Sequence, residues 1–281
     1  MVCDKPRLMI AALRGGSGKT VVSLGLMAAW RLDRGLRVVP FKKGPDYIDA
    51  SWLSAAARHP CYNLDPFLMK SDEILASFIR RSEFGDISLI EGNRGLYDGV
   101  DIQGSFSTAE LAKLLSAPVV LVLDATKVTR TAAAMVLGCR LMDPEVSISG
   151  VILNQVGGKR HERVLRGAIE TYCDVPVLGV IPKEVHHFFP ERHLGLVPPQ
   201  ESLDAAASLD FAARRMADHV DLERLWEIAS RALSLGMPPD AFDSGAGFDT
   251  LSRPIIGVIR DAAFQFYYPE NIEVLRDMGA R

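Results

Sequence analysis

The chain has 281 residues, 48% of them apolar and 24% charged, and its 32 basic and 35 acidic side chains leave a net charge of −3. A chain of that length buries a substantial core without covalent staples, as one large domain or two small ones. The composition excludes global disorder, a collagen-like rod and a disulfide mini-protein, and the near-neutral balance argues against a protein built to coat nucleic acid.

The polar residues 1–7 have no signal-peptide architecture. The longest apolar run, 117–123, has the length of a core strand and falls short of the ~18–20 residues that span a bilayer. Cys3, Cys61, Cys139 and Cys173 are scattered, with no CxxC pair. Reduced thiols in a cytoplasmic protein, with neither membrane nor nucleic acid as partner, are the expectation.

Short apolar runs at 7–12, 37–41, 87–90, 118–123, 149–153 and 176–180 lack polar alternation, which predicts strands covered on both faces. Helical patterns lie between them at 19–33, 71–81, 108–115, 129–141 and 159–172. This alternation predicts an α/β fold, a doubly wound and mostly parallel sheet with its ligand at the carboxyl ends of the strands. Two further helices are expected at 201–220 and 221–235. The Gly-, Pro-, Asp- and Ser-rich stretch 236–254 reads as a linker. Beyond it, 255–259 has a buried-strand pattern and 269–278 a helical one that starts with proline. The expected organisation is therefore a domain over 1–235, a linker, and the opening strand and helix of a second α/β domain over 255–281.

The first strand runs into Arg14-Gly15-Gly16-Ser17-Gly18-Lys19-Thr20 and then into a helix. Glycines let backbone N–H groups turn inward, and with the helix N-terminus they form an anion nest. Lys19 is placed for the β- and γ-phosphates of ATP and the Thr20 hydroxyl for Mg²⁺. The more common spacing would put a glycine at Leu13, so the match is to the variant form found in MinD- and ParA-like ATPases, with Arg14 where those carry a signature lysine. Two further strands end in FKKGPDYID (41–49) and EGNRGLYDG (91–99). Both loops project to the phosphate-loop edge. Glu91 and Asp46 are candidate Mg²⁺ ligands, because that ion takes hard oxygen donors. Asp49 and Asp98 are further candidate carboxylates, although an Asp beside Gly or Pro also caps turns. Lys42, Lys43 and Arg94 add positive charge for an anionic substrate or a leaving phosphate. His186, His187 and His193 are too loosely spaced for zinc. Phe188, Phe189 and Pro190 suit either a wall for a flat macrocycle or ordinary core packing.

The phosphate loop, FKKGPDYID and EGNRGLYDG, in this order, resemble the cobyrinic acid a,c-diamide synthases, and the resemblance covers nearly the whole chain. It implies a P-loop NTPase fold of the dethiobiotin-synthetase and MinD-like type. It also implies an ATP- and Mg²⁺-dependent ligase that phosphorylates the a and c carboxylates of a corrin and amidates them with ammonia from glutamine. The family's functional carboxylates fall on Asp46, Asp49, Glu91 and Asp98, and its substrate-orienting positions on Tyr47 and Ile48. Similarity to dethiobiotin synthetases places adenine recognition at Asn154, with the turn at 181–183 closing over the base. Residues 260–271 look like the entry to the family's glutamine amidotransferase domain. No cysteine here has the strand-to-helix setting of a glutaminase nucleophile, so that centre is expected outside this chain. Three alternatives stay open: a MinD/ParA-type switch ATPase, a related tetrapyrrole amidase acting on nickel-sirohydrochlorin or forming cobyric acid, and a dethiobiotin synthetase. Oligomeric state is also open, a homodimer among the arrangements.

Overall fold

The computed structural model describes residues 2–183, 191–192, 195–202, 204–238, 253–261 and 263–281. In chain order its elements are β1 (Val2–Cys3), β2 (Arg7–Ala12), α1 (Lys19–Arg34), β3 (Val38–Lys43), α2 (Ile48–Ala57), β4 (Tyr62–Leu64), α3 (Ser71–Ser82), β5 (Ile87–Glu91), α4 (Thr108–Leu114), β6 (Val119–Asp124), α5 (Thr131–Met142) and β7 (Ile148–Val156). They continue as α6 (Lys159–Cys173), β8 (Val177–Pro182), β9 (Glu191–Arg192), β10 (Gly195–Leu196), α7 (Ala205–His219), α8 (Leu222–Ser230), β11 (Leu235–Gly236) and α9 (Pro269–Asp277).

Seven strands form one sheet in the order β4-β3-β5-β2-β6-β7-β8, with every neighbouring pair parallel. The chain winds from β2 out to one edge and back to β5, then crosses to β6 on the other side. The order therefore reverses around β2, and the crevice for a ligand opens at its carboxyl end. All six side chains of β2 are buried, because helices cover both faces. Met9 and Ala11 join a core with Phe41, Phe78, Leu121 and Ile169. Leu8, Ile10 and Ala12 join the opposite core with Trp30, Trp52 and Met216. The buried Arg7 is satisfied by the carbonyls of Leu115 (2.6 Å), Lys5 (3.2 Å) and Leu233. Gly25 lets α7 approach α1 closely. A Cβ there would lie 2.6 Å from the Ala212 carbonyl oxygen and 2.5 Å from Met216.

The six sheet strands and five intervening helices read from periodicity are all present, with boundaries shifted by a few residues at most. Two elements were not legible. The edge strand β4 has only three residues, too few for a periodicity. Helix α2 follows directly from the DYID motif and is rich in Ala and Ser, so it shows no clear polar stripe. Residues 255–259, expected as a buried strand, form none here. Ile255, Val258 and Ile259 are exposed, with no strand pairing to cover them. The helical pattern after them does form, as α9. Gly236, expected in the linker, pairs in β11 with Val2. Residues 239–252 of that linker lie outside the described residues, as do His186, His187, Phe188, Phe189, Pro190 and His193. The four cysteines are free and buried. Among the described residues no helix is long and apolar enough to cross a membrane.

Candidate active site

The phosphate loop joins β2 to α1 at the reversal point of the sheet. Gly18 caps α1 with φ 90°, a left-handed conformation that favours glycine. Its α-carbon faces Asn154 so closely that a Cβ would lie 2.2 Å from Nδ2. Lys19 is 8% exposed, and its Nζ donates to the Arg94 carbonyl at 2.9 Å. Burial holds its pKa below the ordinary lysine value, against the pull of Glu91. The Asn154 side chain braces the loop, with Nδ2 donating to the Ser17 carbonyl at 3.0 Å and Oδ1 accepting from the Gln155 amide at 3.0 Å. Arg14 reaches across to Asp124, at the end of β6, with a separation of 2.9 Å.

Beside this loop, β3, β5, α1 and α2 bring Lys42, Glu91, Thr20 and Asp49 into one network. Glu91 is fully buried, and its Oε1 accepts from Lys42 at 2.7 Å and from the Thr20 hydroxyl at 2.9 Å. Lys42 Nζ also donates to Asp49 at 2.7 Å. Burial pushes the Glu91 carboxyl up, and Lys42 and Thr20 pull it partway back. Burial opposes the Lys42 ammonium, but Glu91, Asp49 and Asp46 outweigh it and keep the group charged. The second Glu91 oxygen, Oε2, is buried without a hydrogen-bond partner among the described residues. A buried carboxylate oxygen without a partner, beside a threonine hydroxyl and a phosphate nest, suits a hard divalent cation. Thr20 and Glu91 thus form a donor set that could hold Mg²⁺, an ion that would neutralise charge on bound phosphates.

The other predicted residues take different positions. Asp46 accepts from the Asp49 amide at 2.9 Å, so it shapes the turn into α2. Burial raises its pKa and nearby Asp49 adds to that, while Lys42 opposes both. Asp98 accepts from the Gly95 amide at 2.8 Å and closes its own loop. Arg94 is exposed with φ 50°, and its carbonyl serves Lys19. Ile48 begins α2 and packs on the α1 side of the sheet. Lys42, expected to meet substrate, is 1% exposed and lies beneath the carboxylates instead. Its strand position decides this, since alternate side chains of β3 turn to opposite faces.

The family description matching residues 8–196 is the CobQ/CobB/MinD/ParA nucleotide binding domain. The chain belongs to that family. It is also similar to cobyrinate a,c-diamide synthase of Magnetococcus marinus, at 46% identity over 98% of this chain and 59% of that protein. The synthases of the same name from Listeria monocytogenes and Methanosarcina acetivorans are each 42% identical over 98% of this chain, and over 60% and 57% of their own lengths. The chain thus spans about three fifths of the curated relatives it matches.

Two contributors to the site escaped the sequence reading. Asn63, on the edge strand β4, donates to the carbonyls of Gly44 (2.7 Å) and Asp46 (3.0 Å) and so fixes the GPD turn. Thr108 bonds both the amide and the carbonyl of Asn93, each at 3.1 Å, and sets the loop after Glu91. A polar residue inside a short apolar stretch is the only signal that Asn63 gave.

Proposed function

We propose that this chain carries the ATP-dependent step of a cobyrinate a,c-diamide synthase, an amide-forming ligase of cobalamin biosynthesis. Residues 1–235 would hold the synthetase chemistry, 236–254 the linker, and 255–281 the beginning of a glutamine amidotransferase domain. The observation that carries the reading is the network of Thr20, Lys42, Asp49 and Glu91 beside Lys19. A switch ATPase needs a phosphate nest, but it has no need of a buried lysine–glutamate pair with a further aspartate next to it. The relatives named above favour the corrin over other carboxylates.

In this reading a substrate carboxylate oxygen attacks the γ-phosphorus of ATP and ADP leaves. Ammonia then attacks the acyl carbon, inorganic phosphate leaves, and a proton is lost from nitrogen. Lys19 and the phosphate-loop amides hold the transferring group. Thr20 and Glu91 would hold Mg²⁺, and Lys42 fixes Glu91 and Asp49 so that their positions do not drift between steps. Asn154, which braces the phosphate loop through its bond to the Ser17 carbonyl, would recognise the adenine base. The test is phosphate release from MgATP with a panel of tetrapyrroles and ammonium as donor. Stimulation by cobyrinate or its cobalt-free form is the expected result. ATP hydrolysis indifferent to every tetrapyrrole would remove the ligase reading and restore the switch.

A further inference from the structure

The segment after residue 263 lies against the edge of the sheet that carries the acidic loop. The rings of Phe266 and Tyr268 flank Tyr47, with centroids at 5.4 Å and 4.5 Å. Tyr47 caps α2 and stands between Asp46 and Asp49, inside the turn closed by the Asp49 amide on the Asp46 carboxylate. A second set of contacts fixes α9. Glu273 accepts from the Tyr62 hydroxyl at 2.9 Å and from Arg81 at 2.6 Å, and the Arg81 guanidinium lies 4.2 Å above the Tyr62 ring. Tyr62 belongs to β4, the strand whose Asn63 holds Gly44 and Asp46. The first set of contacts therefore ends on the Asp46–Asp49 turn, and the second on Tyr62, beside the Asn63 that fixes that turn.

A turn at a sheet edge opens locally with little penalty unless its side chains are held. Here the carboxylate–amide bond within the turn and the Lys42–Asp49 pair hold it from below, and the two aromatic rings hold it from above. We propose that Phe266 and Tyr268 are positioning residues for the acidic loop. They fix Tyr47, and through it the Asp46–Asp49 turn, while Glu273 anchors them to β4 and α3. This rests on the reading of Asp49 as part of the active site. It adds that the chain beyond the linker contributes to the synthetase site through contact, so the two parts of the polypeptide are mechanically coupled.

Hydrogen exchange on the 281-residue chain tests this without any substrate. The reporters are the amides of Asp49, bonded to Asp46, and of Ser51, bonded to the Tyr47 carbonyl. Phe266→Ala and Tyr268→Ala should each speed exchange at both amides about tenfold, the factor one aromatic pair supports. Tyr268→Phe keeps the ring and should stay within about twofold of the parent. Glu273→Ala lies away from Tyr47 and should speed the same two amides by releasing α9. In all four variants the amides of α1 and β2 should keep their parental rates, which separates positioning from general unfolding. Unchanged exchange at Asp49 and Ser51 in Tyr268→Ala and Glu273→Ala, with faster exchange in α9, would overturn the proposal. The tetrapyrrole assay is independent of this readout, so failure of either idea is distinguishable from failure of the other.

Discussion

Replacing Lys42 with Met probes the electrostatic centre of the site. Lys42 is 1% exposed and Glu91 fully buried, and they meet at 2.7 Å. The substitution keeps most of the side-chain volume but leaves the Glu91 carboxylate with the Thr20 hydroxyl alone. Removing one partner of a buried ion pair costs about 3–5 kcal/mol, because the remaining charge is uncompensated. Asp49 is partly exposed, so water takes over much of its lost interaction. For a chain of this size the loss corresponds to a drop of roughly 6–20 °C in Tm. The pH dependence gives the cause. The Glu91 carboxyl already sits above its ordinary value through burial, and loss of Lys42 raises it further. A group whose folded pKa exceeds its unfolded one stabilises the fold below the unfolded value, and that contribution is lost as pH rises through the folded value. The stability gap between Lys42→Met and the parent should therefore be small near pH 4.5 and widen toward pH 8. Urea denaturation at several pH values measures it. The double variant Lys42→Met, Glu91→Gln should recover part of the loss, since no buried charge remains. A gap that stays constant from pH 5 to pH 8, or a Lys42→Met variant as stable as the parent at neutral pH, would refute the reasoning.

Lys19→Ala should leave the thermal transition close to the parent and lower ATP turnover by about 10²-fold or more, measured by phosphate release; undiminished turnover removes Lys19 from the phosphate site. Gly18→Ala forces an L side chain to φ 90° and drives a Cβ into Asn154, so a loss of about 1–3 kcal/mol in urea and weaker nucleotide binding are expected. Adding Asn154→Ala should relieve the collision but not the backbone strain, and a full recovery would show that the strain is negligible. Arg7→Met leaves the carbonyls of Leu115, Lys5 and Leu233 without their donor. A loss of about 3 kcal/mol or more in chemical denaturation is expected, and a loss under about 1 kcal/mol would mean that other donors replace the guanidinium.

Six of the seven sheet strands were legible because their interiors are largely apolar, and that pattern follows from being covered on both faces. The phosphate loop was legible because Gly18, Lys19 and Thr20 act locally, between a strand and the helix it starts. The carboxylate loops were identified, but the roles within them were not. Asp46 and Asp98 are bonded to amides three residues away, and no spacing rule distinguishes such a cap from a ligand. The expectation of a strand at 255–259 had a similar origin. Apolar residues in a row favour strand only where neighbouring strands exist to pair with them, and here Ile255 is 87% exposed.

The sequence by itself determined the strand–helix alternation of a doubly wound sheet, the position of the anion nest and which three loops share the carboxyl edge of the sheet. These follow from periodicity and from glycine chemistry within short windows. The tertiary structure alone decided that Lys42 lies under the site, that Glu91 keeps one oxygen without a partner among the described residues, and that Tyr47 packs against Phe266 and Tyr268. The Lys42–Glu91 pair joins residues 49 positions apart, and the Tyr47–Tyr268 contact joins residues 221 apart. Such pairings depend on which face of a strand a side chain takes and on which helix covers it, and neither is encoded within a local window.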